Sequence, residues 1–232
     1  MKKRLISLLL AVAMMVAMVP TAAFAGDEAG TVNSDLRINA DGIPYNVSDK
    51  TQNQNNESVS GNGWKYTHGT YLSWLALGVD SSENALSGNP VAFKFNNPTS
   101  SSCVVNIYNA SLSDSTVNAT VRVYSPDVTV TNCVFNSNLH IMSSVSAPAV
   151  VKNSIFTNPS YAISSSSSYT LEGWNIFAND PEISNEHTIH VINHGRITKL
   201  KVGSKKEVAM DTENLYIVGT LDSDLKLTLD DG

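Results

Sequence analysis

The stretches VTVTNCVFNSN at 128–138 and AVVKNSIFTNP at 149–159 follow one pattern, and the second begins 21 residues after the first. Apolar residues alternate, then come an asparagine, a small residue, an apolar residue and a phenylalanine. VNIYNASL and TLEGWNIF extend the series on either side. The fourth apolar column then reads Leu112, Phe135, Phe156 and Phe177, at steps of 23, 21 and 21 residues. A recurrence in the range of roughly 20–50 residues marks a repeat architecture, in which each copy buries its apolar face only against the next.

Within each copy the alternation has period two, the period of strands, and no segment beyond 1–25 shows a helical stripe. A unit of this length holds three short strands and three bends. If each unit makes one turn of a coil, neighbouring turns hydrogen-bond at the ~4.8 Å strand spacing and equivalent residues lie over one another. The predicted inward columns are Val105, Val128 and Ala149, with Ile107, Val130 and Val151 beside them. Ala110, Cys133, Ser154 and Asn175 form a column of mostly small residues, and Leu112, Phe135, Phe156 and Phe177 the bulky core stack. Asn109, Asn132 and Asn153 are the predicted ladder at a bend. Asparagine tolerates left-handed backbone there, and stacked amides can bond from coil to coil. The fourth unit has Gly173-Trp174 where asparagine is expected, so its bend must be rearranged.

The rungs resemble those of right-handed parallel β-helix proteins, the pectate-lyase-like fold, with its asparagine ladder and stacked aliphatic and aromatic interior. The resemblance covers about 91–180 well and 181–232 loosely. GNGWKY is similar to a Gly-x-Gly-Trp entry sequence of repeat-rich surface proteins in Gram-positive bacteria. The fold class expected is therefore all-β, a right-handed parallel β-helix solenoid of about 21–23 residues per rung. Residues 91–232 supply its repeats, clearest over 103–180, and 61–90 an aromatic-rich cap or entry segment. Residues 26–60 read as a flexible leader, polar and aperiodic over DKTQNQNNESVSGNG. NLYIVGTLDSDLKLTLDDG returns to alternation, with Leu225, Leu227 and Leu229 on one face. The chain then stops without an evident cap, which favours a longer protein over strands that fold back.

Lys2, Lys3 and Arg4, the apolar run Leu5–Val19 and Ala23-Phe24-Ala25 have the anatomy of a cleaved secretory signal over 1–25. The apolar run is too short for a membrane span. Export to the outside or the cell surface follows as an expectation. The formal net charge is −6, and removing the signal's three positive charges leaves −9. That argues against nucleic acid and anionic membrane as partners. Cys103 and Cys133 could pair in an exported chain, but Cys133 fits the small column as a free, buried thiol.

In pectate lyases the resemblance places function on the outer face of one sheet, where carboxylates hold calcium beside a basic residue. The matching strand here carries His140 outward, with Asn118 and Ala162 as its expected neighbours. That surface offers no stacked acids and no basic residue, so no catalytic residue is assigned. NHGRITK at 193–199 with Asp230-Asp231 resembles polygalacturonase motifs, but in the wrong order and too closely spaced, with no carboxyl pair placed across a bond. His187-x-x-His190 lacks further ligands at zinc spacing. Asp222-Ser223-Asp224 could touch calcium, though nothing else supports it, so no cofactor or metal is expected. Among Trp64, Tyr66, Tyr71 and Trp74 an aromatic cluster can serve as core, the commoner use, or as a sugar-stacking platform. Trp64, Trp74 and His140 are the candidate ligand contacts. The expected partner is an extracellular polysaccharide or a host or cell-surface glycan. The expected role is that of a non-catalytic structural, adhesin-like or glycan-contacting module. The alternatives are a polysaccharide lyase or glycosidase with its catalytic residues outside this chain, and a carbohydrate-binding module.

Overall fold

The structure, a computed structural model, describes residues 33, 35–48, 57–142, 147–158, 162–181, 188–193, 197–202, 206–209, 213–219 and 226–229. Residues 1–25, read as a secretory signal, all of 49–56, His187, His194, Arg196, Asp222-Ser223-Asp224, Leu225 and Asp230-Asp231 lie outside them, as do the side chains of Leu227 and Leu229. Every regular element among the described residues is a strand. The strands stack in parallel as a β-solenoid of about four turns.

Each turn visits three faces in chain order. The first face stacks Ser73–Leu77, Cys103–Ile107, Thr120–Val123, Leu139–Ile141 and Ile163–Ser165. The second stacks Val91–Phe93, Ala110–Ser113, Thr129–Thr131, Ala149–Lys152 and Tyr169–Glu172. The third stacks Thr116–Val117, Val134–Phe135, Ile155–Phe156 and Trp174–Phe177. On the first face the register passes from Val105 to Val121, then to Leu139 and then to Ile163, so these three turns lengthen in order along the chain. The bends absorb the difference, because only the strands must match their neighbours.

That variation corrects the lowest repeat. Phe135, Phe156 and Phe177 form one buried file, with ring centroids 5.0 and 4.8 Å apart and planes within 12° and 4°. Beneath Phe135 lies Val117, not Leu112. Leu112 belongs to the second face, in register with Phe93 below and Val130 above. Val105 likewise sits over Leu75 and under Val121, so it shares no column with Val128. The sequence step from Leu112 to Phe135 joins two faces of the coil. The steps from Phe135 to Phe156 and on to Phe177 are true coil repeats.

The bend between the second and third faces carries a column of left-handed residues: Asp114 (φ 46°), Asn132 (53°), Asn153 (48°) and Gly173 (60°). Asp114 therefore stands at the position expected for Asn109. Asn109 sits at the preceding bend, where its amide donates to the carbonyls of Leu86 and Gly88 at 3.1 and 2.9 Å. The fourth bend holds one more residue than the third, since Lys152 pairs with Glu172 while Ile155 pairs with Ile176. Glycine is required there, because a Cβ at Gly173 would lie 2.0 Å from Asn153 Oδ1. Asn153 Oδ1 accepts the Trp174 N–H at 3.1 Å.

Rung-to-rung bonds run through the residue after the bend. Ser115 Oγ accepts from Phe95 N at 2.9 Å, Ser154 Oγ from Cys133 N at 3.2 Å and Asn175 Oδ1 from Ser154 N at 3.1 Å. These buried polar groups satisfy backbone donors that the bend takes out of the sheet. Ser115, not Ala110, completes this column. Side-chain bonds to asparagine amide oxygens, two of the three donated by another amide, occur instead at the bend between the third and first faces. Asn136 Nδ2 donates to Asn118 Oδ1 at 2.7 Å, Thr157 Oγ1 to Asn136 Oδ1 at 2.6 Å and Asn158 Nδ2 to Asn138 Oδ1 at 2.8 Å. Cys103 and Cys133 are buried and are not joined in a disulfide, and burial pushes the Cys103 thiol up to about 12.

The two ends of the coil depart from parallel stacking. Within the segment read as a flexible leader, Leu36–Ile38 and Pro44–Asn46 form an antiparallel hairpin that buries Leu36 and Ile38 in the main core. Val59–Gly61 and Trp64–Thr67 then add antiparallel strands to the first face. At the other end Trp174–Phe177 is the last parallel strand among the described residues. Asn214–Gly219 pairs antiparallel with Trp174–Phe177, and Thr188–Ile192 pairs with Asn214–Gly219. Residues beyond 181 thus add no further parallel rung among those described. Leu200 and Val208, from a separate three-stranded sheet, share a second core with the outward-facing Val134, Ile155 and Ile176 of the third face. The serine run at 164–168 begins within a strand of the first face, where Ser164 and Ser165 pair with His140 and Ile141.

Phe156→Ala removes the middle ring of the file and should cost about 3–5 kcal/mol of stability, read as a lowered urea midpoint. Gly173→Ala should also lower it, since φ 60° and the neighbouring Asn153 oxygen both oppose a Cβ.

Candidate functional site

On the first face, alternation sends Leu75, Val105, Val121 and Leu139 inward, together with Leu77, Ile107, Val123 and Ile141. The intervening residues form an outward row in direct register: Lys65, Ala76, Asn106, Arg122, His140 and Ser164. A second outward row sets Thr67 beside Trp74, Val104 and Thr120.

His140 therefore lies between Arg122 and Ser164, not between Asn118 and Ala162. Asn118 is in the bend ladder and Ala162 is buried. The face does carry basic residues, which corrects the reading that it has none. The signal is present in TVRV, whose alternation puts Thr120 and Arg122 on the side opposite Val121 and Val123. A constant repeat length hides it by assigning the wrong neighbours to His140.

Trp64 and Trp74 part company by strand parity. Trp64 is 0 % exposed and belongs to the core, with its indole packed so close to Gly61 that a Cβ there would stand 2.2 Å from Nε1. It cannot meet a ligand. Trp74 is 39 % exposed and lines a groove of about 250 Å³ with Lys65, Thr67, Ala76, Glu83 and Asn106. Lys65 Nζ pairs with Glu83 Oε1 at 3.0 Å, and Thr67 Oγ1 donates to the same oxygen at 3.2 Å. Asn106 Oδ1 is buried without a hydrogen-bond partner among the described residues. The groove thus combines an aromatic plate, an unsatisfied amide oxygen and one ion pair. Among the described residues Glu83 is the one carboxylate that lines it.

Above the groove, His140 Nδ1 is hydrogen-bonded to Ser164 Oγ. Burial, and then the Arg122 guanidinium, hold the His140 imidazole below its ordinary value of 6.5. Among the described residues no three His, Cys, Asp or Glu side chains gather as metal ligands. No helix among them is long and apolar enough to cross a membrane.

The chain matches no protein-family model, no curated protein and no solved structure.

The lowered imidazole has a definite linkage. Protonation is harder in the folded state than in the unfolded one, so His140 opposes folding as pH falls from about 6.5 toward its folded value, and not above that window. The imidazole should titrate below 6.5 by NMR, and Arg122→Gln should raise its midpoint without fully restoring it, because burial remains. His140→Gln should flatten the stability loss over that pH window in urea titrations.

Proposed function

We propose that this protein is a secreted or cell-surface β-helix module that contacts glycans without transforming them, through the outward face centred on Trp74. The solenoid would be of the right-handed, pectate-lyase-like kind used by bacterial surface proteins, and residues 1–25 would direct export. The observation that carries the reading is the exposed indole in a groove that also holds Lys65, Glu83, Thr67 and the unpartnered Asn106 oxygen. An aromatic face covers the apolar side of a sugar ring, while side-chain amides, hydroxyls and charges meet its hydroxyls. The register row to Arg122 and His140 continues the polar surface along several rungs, which suits a chain of sugars better than a small metabolite.

The carboxylate in the groove is also poorly arranged for hydrolysis. Acid–base cleavage of a glycosidic bond uses two carboxyls on opposite sides of it. Among the described residues Glu83 stands alone in the groove, and it is held by Lys65 and Thr67. The chain's negative charge, −9 after signal removal, disfavours nucleic acid as the partner.

The test is affinity electrophoresis and a glycan array with the mature chain and Trp74→Ala. At least one polysaccharide should be retained, and Trp74→Ala should weaken that retention about tenfold, a change of ~1.4 kcal/mol. Unsaturated or reducing ends appearing during incubation, with or without calcium, would replace this reading by a lyase or hydrolase. Retention unaffected by Trp74→Ala would remove the groove from it.

A further inference from the structure

A second concavity, of about 220 Å³, opens where the strands of the first face begin. Three connections converge on it: the 39–43 hairpin turn, the 68–72 segment and the 99–102 loop. They are tied together by backbone and side-chain bonds. Ser100 N donates to Gly42 O at 2.9 Å, Ser73 N to Ser102 O at 3.0 Å and Gly69 N to Ser73 Oγ at 3.2 Å. The contact at Gly42 is so close that a Cβ there would stand 2.2 Å from Ser100 N. The concavity is thus built by fixed loops, and such loops on a rigid scaffold are where proteins carry recognition.

Its lining has a definite chemistry. Tyr71 is 92 % exposed, a large aromatic ring displayed at the rim with no core to serve. Hydroxyls come from Ser73, Ser100 and Ser102. His68 Nδ1 is buried without a partner among the described residues, a group that either donates or accepts according to its tautomer. Among the described residues no Lys, Arg, Asp or Glu lines the space, and Cys103 within it is a neutral thiol. An aromatic plate beside uncharged hydroxyl partners suits a ligand with one apolar face and a rim of hydroxyls. The volume is below the roughly 300–1,000 Å³ of a drug-sized site, which limits the occupant to about one ring.

From this we infer that the concavity at Tyr71 is a separate subsite for a single neutral pyranose, such as the end residue of a glycan or a side branch. The ring stacks on Tyr71 and its hydroxyls meet His68 and the serine hydroxyls. The assignment rests on the glycan-contact reading above and adds to it a preference for an uncharged sugar unit. Ser73 and Trp74 are consecutive on one strand and face opposite sides of it, so the subsite and the groove flank the same segment.

The experiment uses the mature chain with methyl glucoside, methyl galactoside, methyl mannoside and N-acetylglucosamine, with glucuronate as the charged control, read by ligand-observed and ¹H–¹⁵N NMR. At least one neutral sugar should bind at millimolar concentration and shift the amides of 68–73 and 100–102. Glucuronate should bind it more weakly. Tyr71→Ala should weaken the neutral sugar about tenfold with unchanged circular dichroism, and Trp74→Ala should leave it within about twofold. Failure of every neutral sugar to bind, or binding indifferent to Tyr71→Ala, overturns the subsite. Where Trp74→Ala nonetheless abolishes polysaccharide retention, the groove reading survives and the subsite alone falls. Where neither substitution affects retention, both fall.

Discussion

Parallel hydrogen bonding between successive turns sets one distance, and the rest of the structure is fitted to it. Strands in register are ~4.8 Å apart, so each side chain meets the corresponding side chain of the next turn at that separation. Aromatic rings at this spacing lie nearly parallel, as Phe135, Phe156 and Phe177 do at 5.0 and 4.8 Å. That separation is within the range aromatic pairs favour, so strand spacing and ring stacking agree. The same spacing lets a hydroxyl or amide of one turn reach a backbone N–H of the turn beneath. Ser115, Ser154 and Asn175 can therefore sit fully buried at positions where an unpaired polar group would be costly.

Spacing constrains strands but not the connections between them, and this decides how much of the fold is legible in the sequence. Where consecutive bends have equal total length, sequence offsets equal coil offsets, and the phenylalanine file is visible as a regular repeat. Where they differ, an offset crosses from one face to another. A step of 23 residues puts Leu112 and Asn109 in the wrong columns for that reason, since the residue one turn below Phe135 is Val117, nearer in sequence than Leu112. Asp114 escapes the pattern because its type differs, although it adopts the same left-handed backbone as Asn132 and Asn153. The column is defined by conformation, and asparagine, aspartate and glycine all meet that need.

The site is less legible than the coil. Trp64 and Trp74 are equally aromatic in the sequence, and only the parity of two antiparallel strands makes one core and the other surface. The hairpin over 36–46 stays hidden because its two strands are short, Leu36–Ile38 and Pro44–Asn46, and carry no periodic signal. Arg122 is readable from alternation within its own strand. Its relation to His140 is not, because that depends on the register between two turns of the coil.

The three faces are not equivalent as surfaces, and this bears on where a ligand can be met. The outside of the third face is occupied: Val134, Ile155 and Ile176 are buried with Leu200 and Val208 in the second core. The second face presents mainly short polar side chains outward, among them Ser111, Ser113, Thr129 and Thr131. Such a surface offers hydrogen bonds but no large apolar area to exclude water from them. Among the described residues the first face alone combines an exposed indole with a graded row of amide, guanidinium and imidazole on an otherwise acidic protein. Lys65 is offset by Glu83, while Arg122 lies beside His140, whose neutral form that proximity favours. Positive charge on this face is thus concentrated at Arg122, one rung from Asn106 and two from Ala76 in the groove. A bound chain running along the coil axis would pass from an aromatic contact to a cationic one within the width of a few strands, and the direction in which it lies would be set by that asymmetry.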